Sequence, residues 1–275
     1  MADRGLIAEA TADVLDAAHR AGLALCSCHR RVRERCPGSD VTLATRIMTL
    51  PQSPDDLAGF IDHTLLRMDA TGADMTRHVD EAAAFRFAAV CVNPAWVSHA
   101  ATRLEGTPVR VVSVVGFPLG ATLTVVKRLE AREVTDAGAT EIDMVLNIGW
   151  LKSARLADVL VDLLEVVNVR GPDVAVKAIL ETGALADADK IRAAVIAQAA
   201  GAAFVKTSTG LGPSGATVAD VALLRATVNP PVGVKASGGI RDYASAIRLI
   251  DAGACRLGTS AGVAIVEEAR RQHRS

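Results

Sequence analysis

From residue 54 onward, short β-branched runs alternate eight times with longer Ala/Leu-rich stretches of helical spacing. The runs are 60–63, 89–92, 111–115, 141–145, 174–179, 203–206, 232–235 and 255–258, with starts roughly 22 to 34 residues apart. Helix candidates lie between them, at 75–87, 125–137, 155–169, 188–200, 218–228 and 243–252. Strands separated by helices of this length pair in parallel, because each helix carries the chain back across the sheet. Eight such units in about 220 residues predict an α/β fold, a closed (β/α)8 TIM barrel. A doubly wound open sheet is the alternative, but the Gly-rich dinucleotide fingerprint is missing after the first strand.

Composition narrows the function classes. Thirty basic and thirty-one acidic residues give a net charge of −1. Nothing in that balance favours neutralising a phosphate backbone, so no nucleic-acid partner is expected. No apolar run reaches the roughly 18 residues of a membrane-spanning helix, so no membrane partner is expected either. Five cysteines, Cys26, Cys28, Cys36, Cys91 and Cys255, are an odd number in a large chain. A reducing compartment and a cytoplasmic protein are the natural reading.

Lysine is scarce. Twenty-four of the basic residues are Arg and six are Lys: Lys127, Lys152, Lys177, Lys190, Lys206 and Lys235. Three of the six fall in apolar, strand-like runs, Val-Ala-Val-Lys177, Ala-Phe-Val-Lys206 and Val-Gly-Val-Lys235. Burying an ammonium there costs several kcal/mol unless it is paired or neutral. A chain that uses Arg freely for surface charge keeps primary amines in such places for their chemistry.

A barrel carries its active site at the C-terminal ends of its strands. Polar residues gather at those ends here: Asp62 and His63, Asn93, Asp143 and Asn147, Lys177 and Glu181, Lys206 and Thr207, Lys235 and Ser237, Thr259 and Ser260. Taken singly, Asn93, Asn147 and Ser237 could equally satisfy backbone groups. The convergence of two lysines and an aspartate on one mouth is harder to explain structurally.

Residues 1–52 lie outside the repeat and form a helical or flexible extension ahead of a barrel spanning 53–275. Apolar residues Leu6, Ala10, Val14, Ala17, Ala21 and Ala24 have the spacing of one amphipathic helix over 6–25. The following Cys26-Ser-Cys28-His29…Cys36 cluster lacks the paired C-x2-C unit of zinc sites, and a solvated arm is the simpler reading. Pro51 and Pro54 suggest a hinge before the barrel. Met48 is an alternative start.

Residues 54–268 resemble the deoxyribose-phosphate aldolase family, which are class I aldolases. The segments that carry the resemblance run in order through the barrel. They are Ile61-Asp-His-Thr-Leu-Leu66, Val90-Cys-Val-Asn-Pro94, Val115-Gly-Phe-Pro-Leu-Gly-Ala121 and Glu141-Ile-Asp-Met-Val-Leu-Asn-Ile-Gly149, then Val176-Lys-Ala-Ile-Leu-Glu-Thr-Gly183, Phe204-Val-Lys-Thr-Ser-Thr-Gly210, Val234-Lys-Ala-Ser-Gly-Gly-Ile-Arg241 and Gly258-Thr-Ser260. The resemblance implies reversible cleavage of 2-deoxy-D-ribose 5-phosphate to D-glyceraldehyde 3-phosphate and acetaldehyde, a carbon–carbon lyase activity in deoxyribonucleotide and carbohydrate breakdown. It implies no cofactor and no metal, and a homodimer or higher homo-oligomer. By motif match Lys206 is the Schiff-base lysine, Asp143 the proton-relay carboxylate and Lys235 the neighbouring lysine that shares proton transfer and tunes Lys206.

That chemistry suits these residue types. A protonated imine accepts the electrons released in a retro-aldol step far better than a carbonyl does. The attacking amine must be neutral, yet at pH 7 only about one free lysine in 2,500 is. Bringing the pKa to about 7 takes some 4 to 5 kcal/mol, from desolvation and a nearby like charge. Neighbouring strands about 4.8 Å apart put Lys235 in range of Lys206. Glu141 and Asp143 point to one side of their strand and Ile142 to the other. Lys177 is expected to tune or pair with Asp143, with Glu181 as its anchor. Asp62 is open between a substrate or lysine contact and a structural bond, and Thr207 has a supporting place beside Lys206. Gly210, Gly238, Gly239, Gly258, Thr259 and Ser260 form the expected phosphate site, since barrels bind phosphate at the loops after strands 7 and 8. Cys91 reads as a small buried residue or an inactivation site, and His63 as a proton shuttle or a backbone-bonded strand-end histidine.

Some family members carry a lysine after Thr-Gly where this chain has Leu211, and some end in a tyrosine. This chain's single tyrosine, Tyr243, is expected in mid-helix. Two other functions stay open: a lysine-dependent lyase with a different acceptor aldehyde, and a barrel that binds sugar phosphate and regulates a partner through its N-terminal arm.

Overall fold

The computed structural model describes residues 4–23, 50–171 and 173–273. Eight parallel strands close into a barrel in sequence order: β1 Ile61–Leu65, β2 Ala89–Val92, β3 Arg110–Val115, β4 Glu141–Val145, β5 Ala175–Ile179, β6 Phe204–Lys206, β7 Gly233–Ser237 and β8 Arg256–Thr259. β1 pairs with both β2 and β8, so the sheet has no free edge. The (β/α)8 expectation holds, and the open-sheet alternative is excluded by that closure.

In chain order the helices are α1 Arg4–Arg20, α2 Pro54–Ala58, α3 Gly72–Phe85, α4 Val97–Arg103, α5 Thr124–Asp136, α6 Ile148–Lys152, α7 Leu156–Val169, α8 Asp187–Ala199, α9 Val218–Thr227, α10 Tyr243–Asp251 and α11 Gly262–Gln272. Local chemistry explains where several begin. Thr71 and Asp74 form a reciprocal capping box on α3, Thr217 caps α9 and Asp242 caps α10. Ser53 caps α2 and Pro54 fills its first turn, so the expected hinge at Pro54 is instead a helix start. Tyr243 is the first residue of α10, not a mid-helix residue, and its backbone N–H donates to Glu268.

Each strand divides its side chains between two environments. Outward residues such as Val90, Ile142, Met144, Val176, Val205, Val234 and Leu257 join the helices in one large apolar core. Inside the barrel, Ala89, Cys91, Val112 and Val114 of β2 and β3 form a separate small apolar cluster. Charged residues of β1 and β4–β8 fill the rest of the interior. Phe204 needs the space beside Gly233, where a Cβ would come within 2.4 Å of its ring.

α1 buries Ala10, Val14, Ala17 and Ala18 against α7 and α8, and Asp13 pairs with Arg192 of α8. The expected helix over 6–25 thus runs from Arg4 to Arg20. The cluster Cys26, Cys28, His29 and Cys36, and Met48, lie outside the described residues. Among the described residues no helix is long and apolar enough to cross a membrane.

Candidate active site

β4 presents Glu141 and Asp143 to the barrel axis and Ile142 to the helices, as period-two geometry requires. Asp143 sits at the centre of three amines. Its Oδ1 accepts from Lys177 Nζ at 2.8 Å. Its Oδ2 accepts from Lys206 Nζ at 2.8 Å and from Lys235 Nζ at 2.7 Å. Register makes this possible: Lys177 is the direct strand partner of Asp143, and Lys235 that of Lys206.

A second tier lies beneath. Lys235 pairs with Asp62 Oδ2 at 2.5 Å, and Asp62 Oδ1 accepts from Arg256 at 2.5 Å. Lys177 pairs with Glu141 at 2.5 Å. Arg256, on β8, reaches across the barrel to Glu141 on β4 at 3.0 Å. Arg110 donates to the same carboxylate from the rim at 2.9 Å. All of these except Arg110 are buried, and Lys206 is 2% exposed.

Burial pushes the Lys206 amine below its ordinary pKa, and the Lys235 ammonium pushes the same way; Asp143 opposes both. Desolvation is therefore the larger influence and the neighbouring charge the smaller. For Lys235, burial alone would favour the neutral amine, but Asp143 and Asp62 outweigh it and raise its pKa. Burial would likewise protonate Asp143, but Lys177, Lys206 and Lys235 hold it well below the usual carboxylate range. Two lysines one strand apart are thus driven in opposite directions. One is poised to lose its proton and the other to keep it.

Asp62 takes the lysine-contact option through Lys235. Thr207 is tied to the next strand, donating to Ser237 O and accepting from Ser237 N. Glu181 does not anchor Lys177: its carboxylate accepts from the hydroxyl and backbone N–H of Thr209. Gly210, Gly238 and Gly239 all have positive φ, and the loops after β6 and β7 meet there. A Cβ on Gly215 would come within 2.2 Å of Gly238 O. Gly258 makes room for Lys235, since a Cβ there would lie 3.1 Å from its Cε. The Thr259 hydroxyl is engaged with Ile240 O and the N–H of Ala261, whereas Ser260 is exposed.

Asn93 donates to Leu66 O and Asn147 caps α6, so both serve the backbone. Cys91 is buried within electrostatic reach of Lys235, Asp143 and Lys206, and burial pushes its thiol up to about 11. His63 points away from the lysines, donating to Glu81 of α3 at 2.9 Å and stacking on His78. A shuttle to Lys206 is thereby excluded. His63, His78 and Glu81 offer ligand atoms within 4.8 Å of one another. Their two rings, however, stack at 4.0 Å with 19° between planes, so the ring lone pairs run side by side instead of converging.

Arg256 and Asp162 are buried charged residues that the sequence reading did not single out, and Lys127 appears there only as one of six lysines, with no role. Arg256 sits in the run Cys-Arg-Leu-Gly, where a cation among apolar residues was the available signal. Lys127 is buried on α5, bound to Asp162 at 2.5 Å and to Val145 O at the end of β4. A helical position gave no comparable warning.

The family model of DeoC/LacD aldolases matches residues 57–268. A relative from Streptococcus pneumoniae serotype 19F (strain G54), a deoxyribose-phosphate aldolase, is 54% identical over 208 residues, covering 76% of this chain and 94% of that protein. Among solved structures, a putative deoxyribose-phosphate aldolase from Coccidioides immitis superposes with a TM-score of 0.78 at 38% identity, over 84% of this chain and 96% of that one. The deoxyribose phosphate aldolase of Aeropyrum pernix, described as having a unique tetrameric structure, gives a TM-score of 0.76 at 33% identity over 85% and 99%. A match to the family model across nearly the whole barrel, with one buried amine driven toward neutrality beside another that stays charged, means that this chain belongs to the DeoC/LacD family of aldolases.

Proposed function

We propose that the protein is a class I deoxyribose-phosphate aldolase in which Lys206 forms the Schiff base, Asp143 relays protons and Lys235 keeps the site electropositive. The observation that carries this reading is the Asp143 oxygen shared by two lysines pushed in opposite directions.

The neutral Lys206 amine adds to C1 of open-chain 2-deoxy-D-ribose 5-phosphate. A proton from solvent reaches the carbinolamine hydroxyl, which leaves as water to give the iminium ion, and the same proton is released when the last iminium is hydrolysed. Asp143, directly or through a water, takes the proton of the C3 hydroxyl. The C2–C3 bond then breaks, its electron pair forming the enamine as glyceraldehyde 3-phosphate departs. Return of the proton to C2 gives the acetaldehyde iminium, which water hydrolyses to acetaldehyde and free Lys206. The lysine charges around the carboxylate lower the cost of each charge-separated state.

Gly210, Gly238, Gly239 and Ser260 are the residues we assign to the phosphate, with Gly258 and Thr259 shaping the loops behind them. Residues 1–52 are read as an extension to a catalytic unit at 53–275, consistent with a family match that begins at residue 57. We place the enzyme in the cytoplasm, in deoxyribonucleotide breakdown, as a homodimer or higher homo-oligomer. The tetrameric relative from Aeropyrum pernix supports the last point, and so does the exposed apolar set Leu119, Leu123, Val125, Val126 and Leu129.

Incubation with acetaldehyde and borohydride should leave an ethyl group on Lys206, found by peptide mass spectrometry. Cleavage of deoxyribose 5-phosphate should survive EDTA. Label on another lysine, or no cleavage, would overturn the proposal.

A further inference from the structure

The interior of the barrel holds a countable set of charges. Among the described residues, the carboxylates Asp62, Glu141 and Asp143 and the cations Lys177, Lys206, Lys235 and Arg256 are linked by ion pairs, and none is more than 4% exposed. The set carries one positive charge too many when Lys206 is an ammonium and is neutral when Lys206 is an amine. The other nearby groups do not alter the count. Arg110 touches Glu141 with a side chain 41% exposed, so water solvates its charge. Cys91 keeps its proton.

We propose that Arg256 and Glu141, on the barrel floor, are positioning residues that fix this count and thereby leave Lys206 as the cation without a carboxylate of its own. Asp143 is held on one oxygen by Lys177 and on the other by Lys235. Asp62 is divided between Lys235 and Arg256, and Glu141 between Lys177, Arg256 and Arg110. Phe204 walls the floor, its ring 5.8 Å from Lys177 Nζ and 5.6 Å from the Arg256 guanidinium. Each buried carboxylate therefore has a paired cation before Lys206 is counted. A surplus charge in a medium of low permittivity is expelled most cheaply by releasing a proton, and a lysine can do so where arginine cannot.

Arg256 does not touch Lys206. It acts through Asp62 and Glu141, so its removal has a consequence that a purely structural role would not produce. Without Arg256 the set is neutral with Lys206 charged, and the amine should hold its proton to higher pH. Without the Glu141 charge the surplus grows, and the amine should release its proton at lower pH. Two members of one ion pair should shift the same titration in opposite directions.

This inference rests on the assignment of Lys206 as the reactive amine, but its test does not need turnover. Trace labelling of the full chain with acetic anhydride from pH 5 to 11, read by mass spectrometry of the Lys206 peptide, reports the free amine directly. Arg256→Met should raise the labelling midpoint by about one pH unit and Glu141→Gln should lower it by a similar amount. The double variant and Arg256→Lys should both restore the wild-type midpoint. Should Arg256→Met fail to fold, Glu141→Gln alone decides. An unmoved Glu141→Gln midpoint, or shifts of the same sign in the two single variants, would overturn the inference. Failure of the deoxyribose 5-phosphate assay would remove the proposed function and leave the labelling result standing.

Discussion

Lys206 and Lys235 are direct strand partners on β6 and β7, and their amines meet the same oxygen of Asp143 at 2.8 and 2.7 Å. Lys235 has a second carboxylate in Asp62, and among the described residues Lys206 has none beyond Asp143. With that second partner the Lys235 pKa is raised, whereas that of Lys206, of the same residue type and nearly the same burial, is lowered.

Lys206 costs the fold stability. Its folded pKa lies below the ordinary 10.5, so the unfolded chain binds more protons between the two values. The penalty is fully present below the folded pKa and vanishes above 10.5. Lys206→Met should abolish aldehyde trapping and raise stability at pH 7 by about 1 to 3 kcal/mol. Urea melts at pH 7 and pH 10.5 will show whether the gain shrinks in alkali.

Asp143→Asn should separate trapping from turnover. Removing the carboxylate takes away the influence that favours the Lys206 ammonium, so borohydride trapping should persist. Deoxyribose 5-phosphate cleavage should fall by about 100-fold or more, because no base serves the C3 hydroxyl. Equal losses in both assays would instead assign Asp143 to holding Lys206 in place.

The stacked pair His63 and His78 should make the fold acid-sensitive. Burial lowers His63 to about 4 and His78 to about 3. The unfolded chain takes up those protons first, so stability is full above about pH 6.5 and falls as the pH drops toward 4. The loss attributable to His63 is about 3 kcal/mol. His78→Leu should flatten part of the slope in denaturant midpoints measured between pH 7 and 4.5.

Lys127 and Asp162 are fully buried partners, with Thr124 donating to the second carboxylate oxygen. Lys127→Met leaves Asp162 unpaired and should destabilise by about 3 to 5 kcal/mol. Adding Asp162→Leu should recover most of that, since two matched apolar side chains replace two desolvated charges. Thermal melts of the three variants will separate loss of a pair from loss of packing.

Much of this was legible in the chain itself. The alternation of short β-branched runs and helical stretches determined a parallel (β/α)8 barrel, because local periodicity sets which elements form and their length sets how they pair. β2 and β4 fall within their expected residues, and Lys177, Lys206, Lys235 and Asp143 stood out because charge in an apolar strand is costly wherever the strand lies. Tertiary structure alone decided who partners whom. Glu181 turned to Thr209, His63 turned outward to α3, and Arg256 crossed the barrel to Glu141. A charge's behaviour depends on which other charges share its low-permittivity surroundings, and that is set by barrel closure, which brings together residues as distant in sequence as Asp62 and Arg256.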